Sequence, residues 1–155
     1  MGKRLMLMII AVTAVMASCS KDSITNNKFS AQIGGKNWSA AVRPTTLANH
    51  IFVISGTSAL GEVLIITVNG DAPDLYEFNI SNLLGCNATY KKSVLSTSND
   101  DIYTSISGKV NLTKVDKVNK KISGTFEFSL VKLSVQTLLV KNGTFTDLEY
   151  TETGI

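Results

Sequence analysis

The chain has 155 residues, with 15 lysines and arginines against 12 aspartates and glutamates, and it contains one histidine, one tryptophan and two cysteines. That balance offers no concentrated basic face of the kind nucleic acid selects, and one histidine beside two cysteines is too few for a Cys/His zinc site within the chain. The length suits a single domain with an ordinary core.

Residues 1–18 have the parts of a secretory signal: Lys3-Arg4, an apolar run from Leu5 to Val15, then the small residues Ala17 and Ser18. The run is shorter than the roughly 20 apolar residues that a spanning helix needs. The small residues lead directly into Cys19, and Val15-Met16-Ala17-Ser18-Cys19 resembles the lipobox of bacterial lipoproteins. The resemblance implies cleavage before Cys19 and lipid attachment there, a diacylglycerol plus an N-acyl chain such as palmitate. Several tens of methylenes, each contributing about 0.8 kcal/mol, make such an anchor effectively permanent. Loss of Lys3 and Arg4 with the signal leaves the mature chain near neutrality, and a lipidated Cys19 leaves Cys86 without a disulfide partner. Cys86 then reads as a small buried hydrophobe.

Residues 19–28 are polar apart from Ile24 and read as a tether. Cys19-Ser20-Lys21-Asp22 resembles the start of the export signal of Bacteroidota lipoproteins, which implies an outer-membrane location and points to surface display. Residues 29–155 carry the pattern of an all-β domain. Phe29, Ala31 and Ile33 alternate with polar residues, Gly34-Gly35 follows, and Trp38 and Ala40 resume the alternation, which predicts a tight hairpin. Ile51 to Thr57 and Glu62 to Asn69 are apolar in both phases and predict central strands buried on both faces. Asn69-Gly70-Asp71-Ala72-Pro73 is a turn cluster, and extended patterning returns from Asp74 to Ile80. Ser81 to Gly85 reads as a loop or a single helical turn, Ala88 to Val94 as a weaker strand, and Ser96 to Asp101 as an exposed loop.

From Ile102 to Leu112 the even positions, Ile102, Ile106, Gly108, Val110 and Leu112, predict one inward face. Ile122, Phe126, Phe128 and Leu130 repeat the scheme in a partner strand, joined through Asp116-Lys117-Val118-Asn119. In the last segment, Val135 to Tyr150, Asn142-Gly143 fits either a hairpin turn or a glycine bulge. No amphipathic helix of ten residues is expected. Roughly eight to ten strands separated by turns predict an antiparallel β-sandwich or small β-barrel.

Ile33-Gly34-Gly35-Lys36-Asn37-Trp38, Ile106-Ser107-Gly108-Lys109-Val110, Lys121-Ile122-Ser123-Gly124-Thr125-Phe126-Glu127-Phe128 and Lys141-Asn142-Gly143-Thr144-Phe145 together resemble the framework of a family of small, β-rich Bacteroidota lipoproteins of unknown function. The resemblance covers most of residues 29–150 and implies fold and location but no activity.

Few residues are candidates for chemistry. His50 is the one residue on which a Ser-His-Asp triad would depend, and no Gly-x-Ser-x-Gly elbow accompanies it. Asn69, Asp71 and Asp74, or Asn99, Asp100 and Asp101, supply oxygens for calcium without the spacing of a known calcium loop. Glu62, Glu127 and Glu149 lie in strand-like runs where solvated positions are ordinary, though spatial pairing for glycoside hydrolysis is decided only by the fold. Trp38, Tyr76, Tyr90, Tyr103 and Tyr150 are either core and rim packing or a ligand platform.

The sequence therefore leads to three expectations. The first is an outer-membrane lipoprotein anchored through Cys19, without catalytic residues, cofactor or metal, that binds a protein or carbohydrate through loops near Asn69 to Asp74 and Ser96 to Asp101. The second is a structural envelope protein with no small ligand. A carbohydrate-active enzyme is the third and least supported.

Overall fold

The computed structural model describes residues 28–79, 85–96, 98, 101–132 and 135–154. The signal segment, Cys19 and the tether up to residue 27 lie outside them, as do the loop residues Asn99 and Asp100. Eleven strands are formed: β1 (Phe29–Ile33), β2 (Lys36–Val42), β3 (Thr45–Ala48), β4 (Ile51–Ser58), β5 (Val63–Asn69), β6 (Asp74–Asn79), β7 (Cys86–Lys91), β8 (Ile102–Asp116), β9 (Lys121–Lys132), β10 (Gln136–Glu149) and β11 (Thr151–Glu152). There is no α-helix among the described residues.

The strands close into a barrel. Its wall runs β1-β2-β4-β5-β7-β8-β9-β10 and back to β1, every neighbouring pair antiparallel. Each wall strand neighbours the next in sequence, so the chain winds up and down the barrel, and the first strand meets the last through Phe29 opposite Phe145 and Ile33 opposite Val140. The other strands are side branches. Strand β3 lies along the first half of β4, and β11 lies parallel to β3. Strand β6 takes Ser107 to Leu112 of β8, where β7, which pairs only as far as Thr104, has left that edge free.

Eight strands enclose an interior that side chains can fill, and here aromatic rings fill much of it. Phe29 stands edge-on to Trp38, Phe126 and Phe145 at centroid distances of 5.2, 5.7 and 6.4 Å, and Phe126 stacks on Phe145 at 6.2 Å. Rings of this size need relief in nearby strands. A Cβ on Gly56 would lie 2.7 Å from both Phe29 and Trp38, and one on Gly124 would lie 2.6 Å from Phe145. Burial of these rings and of Ile54, Leu64, Ile66, Val68, Leu130 and Val140, all at or near zero exposure, is the main stabilising term.

The Gly34-Gly35 hairpin forms as expected, with φ of +57° and +79° at the two glycines, as a primed turn requires. Two expectations are corrected and one open alternative is decided. Strands β4 and β5 bury only one face: Phe52, Ile54, Leu64 and Ile66 are sealed, while Val53 is half-buried and Ile65 exposed. A barrel wall has a single inside, and β-branched residues also suit its wet face. In β8 the inward face changes phase. Tyr103 and Ser105 point in, Ile106 is exposed, and Val110 and Leu112 point in again, because Ile106 is an extra residue between the Ser105 to Leu130 and Ser107 to Ser129 pairs. Asn142-Gly143 is a bulge rather than a hairpin turn: β10 continues through it, with Val140 opposite Phe128 and Gly143 opposite Phe126. Asn142 has a φ of 52° there and donates from Nδ2 to Gln32 Oε1 at 3.0 Å.

Candidate ligand-binding site

The two ends of the barrel differ. One end holds the start of β1 at Phe29, the β3–β4 turn at Asn49 and His50, and the β8–β9 turn. The other, the mouth, gathers the β1–β2, β4–β5, β7–β8 and β9–β10 links. A depression of about 450 Å³ opens at the mouth, lined by Ile33, Gly34, Lys36, Asn37, Trp38, Leu60, Glu62, Tyr90, Lys92 and Leu138. Barrel mouths are a recurrent place for ligand sites, and this volume falls in their usual range of about 300–1,000 Å³.

Glu62 organises the wall of this depression. Tyr90, sealed in β7, donates its hydroxyl to Glu62 Oε1 at 2.7 Å, and Ser58 donates to Glu62 Oε2 at 3.1 Å. Ser58 Oγ also accepts from the backbone N–H groups of Leu60 and Glu62, so one hydroxyl ties down the whole β4–β5 link. Burial and the neighbouring Glu62 carboxylate both raise the Tyr90 pKa far above the ordinary tyrosine range, which keeps Tyr90 a neutral donor. The next link docks on this one, since the Val94 N–H donates to Gly61 O at 2.7 Å. Ser96 donates to Asp101 at 2.5 Å, which, with Lys132 at 3.5 Å, holds the Asp101 carboxyl below the usual range.

The cations around the depression divide into two groups. Lys132 pairs with Asp101 and Lys91 donates to Ser96 O, whereas Lys92 is exposed with its ammonium 5.6 Å from the Tyr103 ring centroid, and Lys36 is exposed with no carboxylate partner among the described residues. Tyr103 in turn donates its hydroxyl to Gln136 Oε1 at 3.1 Å. Trp38 is 4 % exposed, and its indole N–H is buried without an acceptor among the described residues.

A second depression, of about 390 Å³, lies on the outer wall over Gly108, lined by Glu77, Lys109, Glu127, Lys141 and their neighbours. It contains two carboxylates, but the strand pairing sets Lys109 between them, 3.0 Å from Glu127. The charges there are already matched along the wall, which leaves less for a ligand to satisfy than the mouth does.

The other sequence candidates are dispersed. His50 sits at the end opposite the mouth, with φ of 63°, its side chain 80 % exposed and its Nδ1 3.1 Å from Asp71. Asp71 also pairs with Lys117 at 2.9 Å, and its hydrogen bonds with Lys117 and then His50 hold its carboxyl below the ordinary aspartate range. Asp74 caps the Leu75 N–H at 2.7 Å. Among the described residues no three His, Cys, Asp or Glu side chains are grouped to hold a metal. The loops near Asn69 to Asp74 and Ser96 to Asp101 lie at opposite ends of the barrel and cannot form one surface. Of the five aromatics, Trp38, Tyr90, Tyr103 and Tyr150 are sealed and only Tyr76 is half-buried, so they form no exposed platform. Glu62 is the functional candidate that strand patterning undervalued. The signal for it was the Ser58 to Glu62 spacing around Gly61, which makes a side-chain-capped turn.

Residues 25–149 match a family described as a domain of unknown function, DUF6252. The chain belongs to the DUF6252 family. The matched span contains every strand from β1 to β10, so the closed wall and the mouth are both within the DUF6252 domain, and only β11 lies beyond it. No curated protein and no solved structure matches the chain.

Proposed function

We propose that this DUF6252 protein is an outer-membrane lipoprotein, anchored through Cys19, that works as a binding module and presents the barrel mouth away from the membrane. The observation that carries the reading is the polarity of the barrel. The chain enters β1 at Phe29 on one end, while Glu62, Tyr90, Lys36 and Lys92 surround the depression on the other. From Cys19 to Phe29 the polar tether spans at most about 35 Å when extended, so the Phe29 end is the point of attachment and the mouth is the end of the barrel farthest from it along the wall. Binding is favoured over catalysis because Glu62 spends both carboxylate oxygens on Tyr90 and Ser58.

The test is the intact mass of membrane-extracted protein, wild type beside Cys19→Ala, with protease shaving of whole cells on the same samples. The expected result is a mature chain beginning at Cys19 with added acyl mass, lost from the membrane fraction in the variant and cleaved from outside in the wild type. An unlipidated chain would sink the anchor, and protection from protease would place the mouth in the periplasm.

A further inference from the structure

The mouth is lined in an unusual way for a site rich in aromatic residues. The two rings that line it, Trp38 and Tyr90, are each only 4 % exposed, which leaves a sugar little surface on which to stack. What the mouth does expose is aliphatic and cationic. Leu60 is 86 % exposed and Leu138 half-buried against the core, both lining the depression, and Lys36 and Lys92 stand exposed beside them. Glu62, the only carboxylate in the lining among the described residues, is already engaged by two hydroxyls. Exposed leucine next to Lys36 and Lys92, neither in an ion pair with a carboxylate among the described residues although Lys92 lies within electrostatic reach of Asp101, is complementary to a molecule with an apolar stretch and an anionic head. A free inorganic anion would leave the leucines wet, and a neutral alkyl chain would leave the lysines unanswered.

We propose that the mouth binds a single-chain amphiphilic anion, an alkyl carboxylate, with its chain against Leu60 and Leu138 and its carboxylate on Lys36 and Lys92. The inference rests on the reading of the mouth as the binding face, and it names the ligand class for that face.

Trp38 is the sole tryptophan of the chain and lines the depression, so its emission reports on occupancy directly. Dodecanoate, below its micellar concentration, is titrated into the Cys19→Ala chain, with dodecanol, butanoate and phosphatidylglycerol vesicles as parallel arms. The expected result is a saturable change with dodecanoate alone. Lys36→Gln and Lys92→Gln each raise its Kd about fivefold, in the range of a single exposed ion pair. Leu60→Ser raises it about tenfold through lost apolar contact, and added salt weakens it. All three side chains are exposed, so the melting temperature of each variant should match that of the parent.

Equal saturation by dodecanol, or lysine variants that bind as tightly as the parent, would overturn the ionic half of the proposal. Saturation only by the vesicles would overturn it in favour of a bilayer surface. Absence of any saturable response, with Cys19 shown to be acylated and the chain shaved from cells, would remove this ligand class and leave the anchored display intact.

Discussion

At the scale of single residues, the clearest test of the packing is Cys86. It is 3 % exposed, its thiol donates to Tyr76 O at 3.1 Å, and burial pushes its pKa up to about 11. A thiolate is the reactive form, and at pH 7.5 such a group is almost wholly protonated as well as covered. Ellman's reagent should therefore label Cys86 in native buffer no faster than the domain unfolds, and stoichiometrically once guanidinium is added. Rapid labelling of the folded domain would contradict both its position and its environment. The sequence already suggested a small buried hydrophobe here, an ordinary role for a cysteine that is not in a disulfide. The same kind of reading handled the aromatics well: Trp38, Tyr90, Tyr103 and Tyr150 pack as wall and core.

At the scale of elements, β8 shows where periodicity succeeds and where it fails. Val110 and Leu112 face inward as their even spacing predicts, and Phe126, Phe128 and Leu130 of β9 do the same. The spacing misleads before Ser107, because one inserted residue reverses every side chain upstream of it. Ser105-Ile106-Ser107 looks like ordinary wet-face alternation, and nothing in its composition marks the insertion. The reversal puts a serine inside, and this is tolerated because Ser105 Oγ accepts the Ala88 N–H at 2.9 Å where β7 and β8 begin to part. Ser105→Ala should cost about 1–3 kcal/mol by orphaning that buried amide, measured by urea unfolding, whereas Ile106→Thr on the wet face should be close to neutral. Equal effects would mean that the phase of β8 before Ser107 is not the one described. Asn142-Gly143 could be marked from sequence as a special position, but choosing between bulge and turn required knowing that β1 and β9 pair on both sides of it. Thr45–Ala48 was missed as a strand because four residues give too short a pattern to read.

At the scale of the whole molecule, the sequence reached the class and stopped short of the closure. A sandwich and a barrel share the same inward and outward alternation, and the difference lies in one seam between β1 and β10, whose residues are more than a hundred positions apart. Phe29 and Phe145 face each other across that seam and Phe126 packs on both. A charge placed among these three rings has no partner and no water, so Phe126→Asp should leave the domain unfolded, with no cooperative melting transition in circular dichroism. A wild-type-like melt would show that closure does not depend on this cluster. The mouth was illegible for the same reason as the seam. Its lining comes from four stretches spread from Ile33 to Leu138, and no local pattern declares that Lys36, Leu60, Glu62, Tyr90 and Lys92 share a rim.

The four links that meet at the mouth share a property that, of the links between wall strands at the other end, only β8–β9 has. Each of them joins two strands that are already side by side in the wall: β1 to β2, β4 to β5, β7 to β8 and β9 to β10. At the far end the chain must also detour through β3 and β6 before it rejoins the wall. Each mouth link can thus change in length and residue type without redrawing the strand order. A barrel wired in this way can diversify what it recognises while its frame stays constant.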